Sequence, residues 1–294
     1  MTLLLAILAI SFLNNAAAAE ELQSGQYSIK QSWSQEKDYE RPYYVHVPEG
    51  SDQKTFPVLI KLHGNGGRPD TFKNVRNKSL AAKYILVSPE GYNRSWNIVA
   101  ERSKANDLAF IEAIVKKLST YNNVQKDNFS IIGNSNGAAL VNQIACETKL
   151  PAIKNYISCV SPLNGCQYDG KNFKVRGENN DYTEIAKPMT GKRLMNVSGT
   201  KDGLIPYKGG PSRIPAKNGR LSFVAAEEST YLWAKHMGYK GEKLAKPTKV
   251  IGKLEIFSYL DGDVVNIKVI DGNHGSRGAV SEQMILDFLE GKEL

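Results

Sequence analysis

The chain has 294 residues, of which 41% are hydrophobic and 23% charged, enough apolar content for the core of one large domain or two small ones, so disordered and fibrous classes are excluded. The formal charge of +8 comes from dispersed basic residues, Lys116-Lys117 and Lys192-Arg193 being the only adjacent pairs. With no nucleic-acid motif in view, that charge reads as a solvated surface rather than a nucleic-acid footprint.

Residues 1–19 carry no charged side chain; an apolar run over 3–13 is followed by Ala17-Ala18-Ala19 immediately before Glu20. That pattern predicts an export signal, although no Lys or Arg precedes the apolar run. A transmembrane anchor would need about 20 apolar residues, so stable membrane insertion is not expected. The mature chain, 20–294, shows no internal repeat and no shift in composition, which favours a single catalytic domain. Three cysteines in an exported protein cannot all pair internally. Cys146 falls on an apolar helix face as a free thiol, while Cys159 and Cys166 are close enough in sequence to bridge a short loop, with free thiols the favoured reading.

In chain order, residues 41–48 read as an early strand and 56–62 as a stronger one. The second runs into His63-Gly64-Asn65-Gly66-Gly67, where glycines let backbone N–H groups approach a ligand closely. Residues 84–88 form the next strand, followed by a loop over 89–97 that carries Trp96. Apolar residues at 108, 111, 114, 115 and 118 predict an amphipathic helix over 107–118, capped by Asn106 or Asp107. Short strands are expected at 156–160 and 193–198, and the polar span between them, 167–192, is the place for a small lid. A helix over 225–237, strands over 253–260 and 264–270, and a closing helix over 279–289 complete the chain. Strands alternating with helices imply an α/β fold with a mostly parallel sheet and helices on both faces.

The densest signal lies at 129–145. Ile131 and Ile132 lead into Gly133-Asn134-Ser135-Asn136-Gly137, after which Ala138, Leu140, Val141, Ile144 and Ala145 recur at helical spacing. Strand, sharp turn and helix with a serine at the tip is the geometry of a nucleophile elbow. A serine hydroxyl needs a histidine to take its proton and a carboxylate to orient that histidine. Of the four histidines, His46 lies in a strand, His63 opens the glycine-rich turn in a structural role and His236 sits on a helix. His274, in the loop Asp271-Gly272-Asn273-His274-Gly275 after a late strand, is the candidate base. Asp202, just past the strand 193–198, is favoured as the acid over Asp271, which stands only three residues before His274. The order Ser135, Asp202, His274 is that of the α/β-hydrolases. No His-x-x-x-His spacing marks a metal site, and no cofactor motif is visible.

The runs Leu62-His63-Gly64-Asn65-Gly66-Gly67, Trp96-Asn97, Gly133 to Gly137 with Cys146 nine residues on, and Ser198 to Gly210 resemble the secreted esterases that group poly(3-hydroxybutyrate) depolymerases with feruloyl and acetylxylan esterases. The resemblance covers nearly all of the mature chain. It implies an α/β-hydrolase with a small lid or none, with Ser135 as nucleophile, His274 as base and acid, and Asp202 as its orienter. It also implies an oxyanion hole made by the backbone N–H groups of Asn65 and Asn136. The chain departs from the depolymerase pattern at Gly275-Ser276-Arg277, where those relatives carry Trp-Pro, and at Asn65, where many carry cysteine. The expected activity is a serine carboxylic-ester hydrolase of feruloyl or acetyl type acting on ester-decorated polysaccharide; the alternatives are a polyester or polyhydroxyalkanoate-oligomer depolymerase, a serine peptidase of the same fold and an inactive binding module. A monomer acting on a small or polymeric ester is expected. Trp96 is the candidate substrate contact, the competing reading being a tryptophan that covers the core.

Overall fold

Parallel strands buried on both faces read as continuous apolar runs, and Phe56–Leu62 (β3) and Ile85–Pro89 (β4) have that character. A computed structural model describes residues 20–294 except 51, 72, 74, 76 and 218; the leader read as an export signal lies outside the described residues. The elements in order are β1 (Gly25–Trp33), β2 (Glu36–His46), β3, α1 (Lys78–Ala81), β4, α2 (Asp107–Leu118), β5 (Val124–Asn134), α3 (Asn136–Glu147), β6 (Ile153–Cys159) and β7 (Arg193–Gly199). Then follow β8 (Gly210–Ala216), β9 (Gly219–Phe223), α4 (Ala226–His236), β10 (Lys249–Ile251), β11 (Leu254–Tyr259), β12 (Val264–Val269) and α5 (Glu282–Leu289).

Among the described residues these strands form a ten-stranded sheet in the order β1-β2-β4-β3-β5-β6-β7-β12-β11-β10 and a separate hairpin, β8-β9. The six central strands, β4 to β12, are parallel, and antiparallel strands extend both edges. The side-chain period of two sorts residues between two cores. Phe129 and Ile131 of β5 join α2, α3 and α4 in one apolar layer, whereas Ile132 packs with α1 and α5 in the other. Because β3, β5, β7 and β12 run the same way, the loops after them emerge at one edge of the sheet. That edge is where ligands collect in open α/β sheets.

One buried ion pair ties β2 to α2. Arg41 on β2 donates from Nη2 to Asp107 Oδ1 at 2.6 Å, and both side chains are 1% exposed. The second carboxylate oxygen of Asp107 accepts the Asn97 N–H at 2.6 Å, and Arg41 stacks 3.8 Å from the centroid of the Phe110 ring. Asn106 is therefore the cap of α2, its Oδ1 accepting from the Ala109 N–H at 3.1 Å, and Asp107 is spent on the pair. Arg41→Ala strands a buried carboxylate, and such losses cost about 3–5 kcal/mol. The expected result is a lower urea midpoint with an unchanged slope; a midpoint equal to wild type would show that water or another cation replaces the guanidinium.

Candidate active site

Ser135 sits between β5 and α3 with φ 53° and ψ −117°, a region that non-glycine residues rarely enter. Strain of this kind persists only where the surroundings impose it. Here a Cβ on Gly133 would lie 2.3 Å from the Gly137 carbonyl oxygen, and one on Gly137 would lie 2.5 Å from the carbonyl oxygens of Leu62 and His63. The two glycines let strand, helix and the neighbouring β3 close on each other, and the Ser135 N–H is fixed to the Cys159 carbonyl at 2.9 Å.

The Ser135 hydroxyl donates to His274 Nε2 at 2.9 Å, and His274 Nδ1–H donates to Asp202 Oδ2 at 2.8 Å. The parallel pairing of β7 and β12 brings the last two together: Gly199 is in register with Val269, so the acid loop and the histidine loop leave the sheet side by side. Lys201 N–H donates to the Gly272 carbonyl at 2.8 Å and Asp271 N–H to Thr200 Oγ1 at 2.8 Å, locking one loop to the other. Asp271, the competing acid, faces outward and pairs with Lys201 and Lys253 at 2.7 and 3.3 Å.

Asp202 is oriented by more than the histidine, since its Oδ1 accepts the N–H groups of Leu204 and Ile205, both at 2.9 Å. Burial by itself raises its pKa, but His274 and these two amides outweigh burial and hold the carboxyl below its ordinary value. On acidification the unfolded chain thus takes up the proton first, near the ordinary aspartate value of about 3.9. The stabilisation is present in full above that value and is lost as pH falls through the lower folded one. The melting temperatures of wild type and Asp202→Asn should therefore converge as pH is lowered from 7 toward 3; a constant difference would mean that the carboxyl is not depressed.

The other histidines are accounted for. His63 Nδ1–H donates to the Gly64 carbonyl at 2.8 Å, and Nε2 accepts the Gly91 N–H at 3.0 Å, which fixes the neutral tautomer. Burial lowers its pKa in the same sense. His236 Nε2–H donates to the Pro188 carbonyl at 3.0 Å, and His46 is half-buried at the end of β2. All three cysteines are free thiols, Cys146 and Cys159 buried and Cys166 partly so.

Trp96 requires a correction. It is 0% exposed, its indole Nε1–H donates to the His63 carbonyl at 2.8 Å, and its ring lies 4.9 Å from the His63 ring, so it is a packing residue and not a substrate contact. Its backbone is clamped by Asn136, whose Oδ1 accepts the Trp96 N–H at 2.8 Å and whose Nδ2 donates to the Trp96 carbonyl at 3.0 Å. Glu101, which sequence reasoning missed, completes the clamp: it accepts the N–H groups of Ile98 and Val99 at 2.9 and 2.6 Å and Asn136 Nδ2 at 3.3 Å. Burial pushes its carboxyl above the usual range. Nothing in its sequence spacing marks this role.

No family model matches the chain. It is 23% identical over 247 residues to feruloyl esterase B of Piromyces equi, covering 81% of this chain and 43% of that protein. It is 26% identical over 220 residues to a probable feruloyl esterase C of Aspergillus clavatus, covering 70% and 71%. The chain thus spans less than half the length of the first relative. Acetyl xylan esterase from Aspergillus awamori superposes with a TM-score of 0.59 at 12% identity over 85% of this chain and 94% of that one. A solved thermostable esterase gives 0.53 at 14% identity over 91% and 63%. The protein has the α/β-hydrolase fold.

Within this fold, Ser135 opens into a pocket of about 490 Å³. One side is polar, with Asn65, Asn136 and Glu101, and the other apolar, with Ile205, Leu221 and Phe223. Among the described residues neither the Asn65 nor the Asn136 backbone N–H donates to a protein acceptor. The apolar wall corrects the lid expectation. It is built largely by the hairpin β8-β9, whose Ile214, Pro215, Leu221 and Phe223 face the pocket, whereas the polar span 167–192 packs elsewhere and lends no residue to the lining. Among the described residues no helix is long and apolar enough to cross a membrane.

Proposed function

We propose that the protein is an exported serine carboxylic-ester hydrolase that removes feruloyl or acetyl groups from ester-decorated polysaccharide through an acyl-enzyme. The observation that carries this reading is the continuous relay from Asp202 through His274 to Ser135 at the mouth of a pocket. His274 Nε2 takes the hydroxyl proton as Ser135 Oγ attacks the ester carbon, and Asp202 stabilises the imidazolium without taking its proton. The carbonyl oxygen gains the negative charge between the unpaired N–H groups of Asn65 and Asn136, which stabilise it best in a site that excludes water. The proton then passes from Nε2 to the leaving alcohol, whose C–O bond breaks. In the second half-reaction His274 deprotonates water, which attacks the acyl-enzyme, and Ser135 recovers its proton as the acid leaves.

The relatives named feruloyl esterase and the superposed acetyl xylan esterase support the choice of acyl group. The test is kcat/KM on methyl ferulate, p-nitrophenyl acetate and hydroxybutyrate oligomers. The reading predicts turnover of the first two; activity confined to hydroxybutyrate oligomers would replace it with a polyester depolymerase, and absence of all three with a binding module. Export is tested by sequencing the mature protein, which should begin at Glu20.

A further inference from the structure

A second cleft, larger than the catalytic pocket at about 850 Å³, lies against it. The two share Ala100 and are divided by the short strip from Asn97 to Glu101: Ile98 and Glu101 line the catalytic side, Asn97 and Val99 the other. A strip of five residues spans at most about 15 Å, and the two clefts lie on either side of it.

The lining of this cleft is mixed rather than apolar or of one charge. Trp33 supplies an aromatic surface, Ser32, Asn106 and Asn179 supply donors and acceptors, and the charged residues are of both signs, Lys104, Arg176 and Lys217 beside Glu147 and Glu178. An aromatic face among donors and acceptors with no strong excess of either charge suits an uncharged, many-hydroxylated ligand, whose ring faces are apolar and whose edges donate and accept. The walls are already set. Asn180, at φ 53°, accepts from the Arg176 guanidinium and donates to Asn97 Oδ1 and the Val99 carbonyl at 2.7 and 2.9 Å. Trp33 is held edge-on by Tyr92 and Tyr39, with centroids 4.9 and 5.7 Å away, and its Nε1–H donates to Gln35 Oε1 at 3.2 Å. Gln35 in turn donates to the Arg102 carbonyl at 2.9 Å and accepts the Lys104 N–H at 2.7 Å, fastening the β1-β2 turn to the segment that follows the dividing strip. A ligand would meet a surface that loses little freedom on binding.

We infer that this cleft is a glycan subsite, holding the sugar residues next to the esterified one while the ester occupies the pocket of Ser135. The inference rests on the proposed ester hydrolysis for its register, but not for its binding. Two experiments separate them. Xylohexaose, which carries no ester, is titrated into full-length Ser135→Ala protein by calorimetry, with the Trp33 indole N–H followed by NMR. Saturable binding that shifts this signal is expected, weakened about three- to ten-fold in Trp33→Ala, the loss of one aromatic stacking contact, and largely retained in Trp33→Phe. The ratio of kcat/KM for a feruloylated xylo-oligosaccharide to that for p-nitrophenyl acetate should fall by about the same factor in Trp33→Ala, through KM. If xylohexaose does not bind, or binds equally well to Trp33→Ala, the subsite is wrong even where small esters are turned over. If it binds as expected while no ester is hydrolysed, the subsite stands and the reading of the triad fails. Should Trp33→Ala not fold, the indole shift and the Trp33→Phe titration decide alone.

Discussion

Ser135→Ala should lower kcat on p-nitrophenyl acetate by on the order of 10³ to 10⁶ while the fold is retained. The size follows from what remains. Without the hydroxyl, no acyl-enzyme forms, and only the pocket and the amides of Asn65 and Asn136 are left to assist attack by water. Stability should change little, because the elbow is held by its backbone: the Ser135 N–H is bonded to Cys159, and the Ala139 N–H to the Ser135 carbonyl, both at 2.9 Å. Alanine carries the same Cβ into the strained conformation as serine does. A variant that keeps a tenth of its activity would place the nucleophile elsewhere.

Asp202→Asn is the second large effect, with kcat expected to fall by about 10⁴. The amide keeps the shape of the carboxylate, and its oxygen can still accept from Leu204 and Ile205. It then presents NH₂ toward His274 Nδ1, which favours the tautomer with the proton on Nε2, where it can no longer receive one from Ser135. The same exchange at Asp271 removes an exposed ion pair with Lys201 and Lys253 and should leave kcat near that of wild type. Parallel kinetics on the two variants therefore discriminate between the two candidate acids, and a crippled Asp271→Asn beside an active Asp202→Asn would reverse the assignment.

The elbow and the two loops of the triad were legible because each is a local pattern: an apolar strand, a glycine-rich turn and one chemically apt side chain. Four histidines made elimination workable. Asp202 and Asp271 could be weighed against each other in the sequence, but only the register of β7 against β12 shows which one reaches His274. Trp96 was misplaced for a related reason. A tryptophan in a polar loop gives no sign of its depth, and the carbonyl of His63 that receives its indole N–H is 33 residues away.

Long-range pairs were the least visible. Arg41 and Asp107 are 66 residues apart, and each alone looks like an ordinary surface charge. Glu101 gains its role at the site through Asn136, 35 residues away. β1 was missed although Tyr27, Ile29 and Trp33 alternate with exposed Gln26, Ser28, Lys30 and Ser32, the pattern of a strand half-buried on a core. The β8-β9 hairpin had a signal, the Asn218-Gly219 pair. What the sequence withheld was that this hairpin, rather than the polar span before β7, walls the pocket.

The account turns on Ser135 being an activated nucleophile, and covalent labelling addresses that directly. Wild-type protein treated with a fluorophosphonate and digested should show a single phosphonylated peptide, the one containing Ser135, by mass spectrometry. His274→Ala should label far more slowly, since the hydroxyl then lacks its base. Unmodified Ser135 in protein that still hydrolyses p-nitrophenyl acetate, or a label on a different residue, would contradict the account.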